Sequence, residues 1–209
     1  MTSLVLALTL LFTPMSKNDS GSRSFSIVRT TPGVVFGQAD LSALFDSGKE
    51  WTPWLEGVNA QQATWKQVTS QGSPPPALVE RLRKAGTDLK ILVVAEPACS
   101  DSVQSVPHIA KLAELAGLPL RIIAKAAAGP VYASHKGPEG QELTPTIVLL
   151  RGGKDAGAWI ERPEALATWY RANRASIERG ELLQRKTSWY QWDRGTSAMN
   201  ELVALAEKR

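Results

Sequence analysis

Cys99 is the only cysteine among 209 residues. It follows an apolar run, Leu89 to Ala95, that breaks at Glu96-Pro97 and gives way to a helix-like pattern from Ser102 to Ala116. The first turn of a helix offers unpaired N–H groups and the positive end of its dipole, and both favour a thiolate. The local order is Cys99-Ser100-Asp101-Ser102, a Cys-x-x-Ser arrangement with a hydroxyl where dithiol proteins carry a second sulfur. A Ser102 hydroxyl within reach of the sulfur would also favour the thiolate, whereas the nearby Asp101 carboxylate would oppose it. A thiolate attacks a disulfide and forms a mixed disulfide. With no second cysteine, its release needs an external thiol such as glutathione, or a cysteine of the partner. The chemistry left is monothiol exchange, deglutathionylation, isomerase-like shuffling or capture of a thiol partner. The competing reading makes Cys99 a small buried hydrophobe without reactivity, and the chain a non-catalytic binding protein or scaffold.

Other chemistries find less support. His108 adjoins Pro107, and His135 lies in a Gly/Pro-rich stretch; neither has a recognisable partner, so surface roles are expected for both. No Gly-x-Ser-x-Gly elbow or phosphate-cradling glycine loop occurs, and Gly152-Gly153 reads as a turn. No metal-ligand spacing is found, and no cofactor is expected. The net charge of +4 is spread along the chain, so it describes a mildly basic surface and no nucleic-acid partner. The partners expected are protein or low-molecular-weight thiols and disulfides. An unpaired thiol suits a reducing compartment, which points to the cytoplasm. Leu4 to Phe12 are too short to span a bilayer, so no stable membrane span is expected. They would fit a signal-peptide core and hence export, although no Lys or Arg precedes them and no small-x-small pair follows closely.

The elements that must position the thiol can be read from periodicity. Leu41, Leu44 and Phe45 suggest a short helix capped by Asp40. Trp51, Trp54, Leu55, Val58, Trp65 and Val68 share one face of a second helix, where tryptophans serve packing. Pro74-Pro75-Pro76 break the chain, and an amphipathic helix containing Leu78 and Leu82 ends at Gly86. A βαβ order follows, with strand 89–95, helix 102–116, strand 119–124 and strand 146–151, implying parallel pairing. Ala126 to Gly140 are weakly patterned, with a turn of helix around Val131 to Ser134. Ala156 to Ile160 add an antiparallel edge, which makes the sheet mixed. A helix opens at Arg162-Pro163-Glu164 and buries Leu166, Trp169, Tyr170 and Ile177. A last helix, Ser197 to Lys208, carries Met199, Leu202, Val203 and Leu205 inward.

A cysteine after a central strand, Pro107 eight residues later, and Pro145 opening a later strand together resemble the thioredoxin superfamily. A closer resemblance is to bacterial thioredoxin-like proteins whose redox segment reads Ala-Glu-Asp-Trp-Cys-Gly-Asp. Here that segment is Ala95-Glu96-Pro97-Ala98-Cys99-Ser100-Asp101. Arg162-Pro163 and Trp189-Tyr190-Gln191-Trp192-Asp193-Arg194-Gly195 match later motifs, so the resemblance spans about residues 36–209. It implies a cis bond before Pro145 that turns the Thr144 backbone toward the sulfur, so that an extended substrate can pair with it; the other reading of Pro145 is an ordinary edge-strand start. The candidate site is then Cys99, Ser102 and Pro145 for chemistry, with Thr144, Ser100 and Asp101 contacting substrate. Ala98 stands where the family carries tryptophan, and Ser100 where it carries glycine. The expected fold is α/β, a three-layer thioredoxin-like core with a small mixed sheet over residues 88–180. A signal-like or disordered segment would occupy 1–30, a helical extension 31–87, and a C-terminal helical segment 181–209.

Overall fold

β1 (Leu89–Val94) is central because both of its faces are apolar. Leu89, Ile91 and Val93 enter one core, and Leu92 and Val94 enter another on the opposite side of the sheet. Alternation with period two therefore commits the strand to burial between two helical layers. A computed structural model describes residues 40–208. The segment expected to be signal-like, 1–30, and the first residues of the expected helical extension lie outside the described residues.

The sheet order is β2-β1-β3-β4, with β2 at Leu120–Ile123, β3 at Thr146–Arg151 and β4 at Lys154–Ile160. Only β1 and β2 pair in parallel, joined by α5 (Ser100–Ala116); β3 runs antiparallel to both β1 and β4. The parallel pairing implied by alternating elements thus stops at one pair. The chain returns through a 3₁₀ turn (Lys125–Ala127) and α6 (Gly129–Tyr132), and enters β3 from the opposite end. Gly152 and Gly153 turn β3 into β4 with φ of 57° and 83°, and β4 starts at Lys154, earlier than expected.

The larger core lies between the sheet and α3 (Gln62–Gln71), α4 (Pro76–Ala85), α5 and α9 (Thr196–Ala206). The smaller one joins α1 (Ser42–Asp46) to α6 through Leu41, Phe45, Val131 and Tyr132. Asp40 Oδ1 accepts from the Ser42 N–H at 2.9 Å, so it serves the start of α1 although Leu41 holds the capping position. The tryptophan series forms two helices, α2 (Trp51–Glu56) and α3, because the chain leaves helical geometry at Gly57 and turns left-handed at Gln61. α7 (Glu164–Asn173) fully buries only Leu166 of its expected apolar face; Trp169 and Tyr170 are half-buried, and Ile177 lies beyond its end.

α8 (Arg179–Asp193) is the element that periodicity hides. Its buried positions are Leu182, Lys186, Tyr190 and Asp193, a helical stripe made mostly of polar groups.

Candidate functional site

β1 ends where the Ala95 N–H donates to the Ile123 carbonyl at 3.2 Å, and the chain turns through Glu96 to Ala98. Two side chains from the helical layer hold this turn from outside the sheet. The Trp65 indole N–H donates to the Pro97 carbonyl at 3.0 Å, and Gln61 Nε2 donates to the Ala98 carbonyl at 2.8 Å. Trp65 is fully buried and meets Trp54 edge-on with ring centroids 4.9 Å apart. The tryptophans pack as expected, and one of them also fixes the cysteine turn.

Cys99 is the N-cap residue of α5, with extended backbone at φ −79° and ψ 117°. Its carbonyl accepts the Val103 N–H at 3.0 Å. The residue is half-buried, between exposed Ala98 and exposed Ser100. Its thiol donates to the Thr144 carbonyl at 3.1 Å, and the Thr144–Pro145 bond is cis. Cys99, Thr144 and Pro145, which lie far apart in the chain, are thus brought together. Ser102 does not join them. Its side chain faces the core side of α5 and is fully buried, and its hydroxyl has no hydrogen-bond partner among the described residues. The expected bond from Ser102 to the sulfur is therefore not made.

Asp101 also differs from expectation as a substrate contact, since it is buried and fully engaged. Its Oδ2 accepts from Lys186 Nζ at 2.8 Å and from the Arg162 guanidinium at 3.2 Å, and its Oδ1 accepts from the Tyr190 hydroxyl at 2.6 Å. Lys186 Nζ also donates to Ser100 Oγ at 2.9 Å, so this candidate contact is tied inward while its residue stays exposed. Glu161 pairs with Arg162, and the Tyr170 ring lies beneath the guanidinium, 4.3 Å from its carbon. Burial raises the Glu161 carboxyl above its usual range, with Arg162 pulling the other way. Burial, and then the Asp101 charge, hold the Tyr190 hydroxyl well above a normal phenol. Arg162 and Tyr190 stand out in the sequence only as parts of the Arg-Pro and Trp-Tyr motifs, with no link to the cysteine, and Lys186 does not stand out at all. The signal that ties Lys186 to this site is its four-residue spacing from Tyr190.

On the other side of Cys99, the Tyr132 hydroxyl donates to the Leu143 carbonyl at 2.9 Å. Burial pushes its pKa up to about 12, opposed by a bond with Thr146 and helped by the charges of Glu142 and Glu96. Neither histidine has the surface role expected. His108 is buried beside Gly195 with Nδ1 unpartnered, and burial lowers its pKa against the opposing pull of Asp193. His135 Nε2 lies 2.5 Å from Asp155 Oδ2, a pairing across separate segments that local sequence does not reveal. Among the described residues, no three His, Cys, Asp or Glu side chains are grouped to hold a metal ion.

A family model described as Thioredoxin matches residues 48–176. Among solved structures, an HIV epitope-scaffold superposes with a TM-score of 0.63 at 20% identity, covering 82% of this chain and 99% of its own. A Pseudomonas aeruginosa protein of unknown function gives a TM-score of 0.62 at 21% identity, covering 81% of this chain and 98% of its own. At such identity the two structures are similar in fold alone. No curated protein matches the sequence significantly.

Proposed function

From the premise that this chain belongs to the thioredoxin family, we propose that it is a monothiol thiol–disulfide exchange protein with Cys99 as its nucleophile. The observation that carries this reading is the half-buried Cys99 sulfur at a helix N-cap, 3.1 Å from the carbonyl that precedes cis-Pro145. A thiol in that position stands beside the backbone that opens β3, where an extended peptide could pair.

The cycle has two balanced steps. The Cys99 thiolate attacks one sulfur of a substrate disulfide, forms a Cys99–substrate disulfide and releases the other sulfur as a thiolate. An external thiol of the glutathione class then attacks the substrate sulfur of that bond and returns Cys99 as a thiolate. The substrate leaves as a mixed disulfide with the incoming thiol. Cys99 supplies the attacking electron pair in the first step and the external thiol restores it in the second, so no second protein cysteine is required. Thr144 and Pro145 serve as the platform for the substrate backbone, and exposed Ser100 borders it. An unpaired reactive thiol works in a reducing compartment, and on this reading the protein acts in the cytoplasm. Among the described residues, no helix is long and apolar enough to cross a membrane.

The test is turnover of hydroxyethyl disulfide and of a glutathionylated peptide, with glutathione present, by the full chain and by Cys99→Ser. Turnover that needs both glutathione and Cys99 is the expected result. Equal rates for the two proteins, or no rate above the uncatalysed one, would overturn the proposal and leave a thioredoxin-fold binding protein.

A further inference from the structure

Directly after Cys99 the chain carries Ser100 and Asp101, and one side chain from a distant helix grips both. Lys186 Nζ lies 2.9 Å from Ser100 Oγ and 2.8 Å from Asp101 Oδ2, with Lys186 4% exposed and Asp101 5% exposed. Lys186 comes from the middle of α8, across 85 positions of sequence from Asp101. A buried ammonium loses its hydration and is held there only by a carboxylate and further acceptors. The pair is thus a committed contact.

The charges around it nearly cancel. Asp101 and Glu161 are the acids on this side of α5, and Lys186 and Arg162 are the cations. Tyr190 donates to Asp101, and the Tyr170 ring lies 6.0 Å from Lys186 Nζ. On the far side of Cys99 stand Tyr132, Glu96 and Glu142, and Lys125 Nζ donates to the Glu142 carbonyl. An isolated Asp101 carboxylate two residues from the sulfur would disfavour a thiolate. Paired with Lys186 it becomes a tether for the helix start.

We infer that Lys186 is a positioning residue that acts on Cys99 through Asp101: it holds that carboxylate at the first turn of α5 and cancels its charge, two residues along the chain from the thiol. The inference rests on Cys99 acting as the nucleophile. It adds that α8, outside the 48–176 segment matched by the family model, sets the reactivity of that nucleophile.

The test reads Cys99 alkylation by iodoacetamide in the full chain. Lys186→Met, near-isosteric but uncharged, should slow alkylation at pH 7 by about five-fold, since a less fully compensated carboxylate two residues along the chain disfavours the thiolate. At pH 10, where accessible thiols are ionised, its rate should equal that of the parent chain. Asp101→Asn should act in the opposite direction and accelerate alkylation at pH 7, while the double variant should return close to the parent rate. A purely structural role predicts slowing at both pH values, or no change; either result for Lys186→Met overturns the inference. If Lys186→Met does not fold, Asp101→Asn decides, because an unchanged or slower rate is equally fatal. Disulfide turnover plays no part in this readout. A protein that reacts with iodoacetamide in this pattern but turns over no disulfide would lose its proposed activity and keep the role of Lys186.

Discussion

The Trp65 indole and the Pro97 carbonyl meet at 3.0 Å, linking a helix of the N-terminal layer to the turn that presents Cys99. Trp65 is fully buried, and without its indole the half-buried Pro97 carbonyl keeps only the longer contact from Gln61 Nε2 at 3.4 Å. Trp65→Phe keeps most of the ring volume and deletes the donor. The expected outcome is a loss of about 0.5–1.5 kcal/mol in urea unfolding. Cys99 alkylation should also become faster or more heterogeneous as the turn loosens. Unchanged stability would show that the bond contributes little.

Gly195 sits at φ +73° between α8 and α9, a backbone region that favours glycine. A side-chain carbon there would run into the His108 side chain, whose Cβ and ring atoms Cγ and Cδ2 are its nearest neighbours. Gly195→Ala should therefore cost about 2 kcal/mol or more, from strained backbone and overpacking together. Adding His108→Ala should recover part of that loss, and a double-mutant cycle measures how much. Strict additivity would separate the backbone strain from the clash.

Burial lowers the pKa of His108 below its ordinary 6.5, and Asp193 opposes this only in part. The imidazole is therefore kept neutral in the folded chain more than in the unfolded one. Its contribution to stability is complete above pH 6.5 and is lost as pH falls through the folded value. Glu161 acts in the reverse sense, since burial raises its carboxyl above 4.5 and its contribution fades as pH climbs through the folded value. Urea midpoints between pH 7.5 and 5 should fall on acidification. His108→Leu should flatten that fall, and Glu161→Gln should steepen it. An equal slope in His108→Leu would rule the histidine out as its cause.

Much of the frame was legible, and the reason is visible in individual residues. Leu89 to Val94 and Thr146 to Leu150 bury alternate side chains on two faces, so the apolar runs marked the two central strands. The cysteine, the helix behind it and the strand-opening Pro145 carried the rest of the thiol's setting. What sequence did not reveal was polar and distant. Lys186, Tyr190 and Asp193 break the apolar stripe by which a buried helix face is recognised, yet they are the buried face of α8. Asp101 reads from sequence as a substrate contact because its partners, Arg162, Lys186 and Tyr190, lie 61 to 89 positions away. Ser102 followed the spacing of the dithiol pattern, but helical geometry turns it into the core, while the sulfur turns to Thr144. One long helix over the tryptophans was expected because the apolar spacing runs on through Val58, where the backbone does not.

The carbonyls of Pro97 and Ala98 are occupied by Trp65 and Gln61, and Ser100 and Asp101 by Lys186. Grafting the tetrapeptide Cys99 to Ser102 onto a foreign strand–helix junction would carry over the sulfur and leave its anchors behind. A transplant meant to behave like the parent must import three remote side chains with it, so the smallest portable unit of this thiol is a discontinuous set of residues rather than a motif.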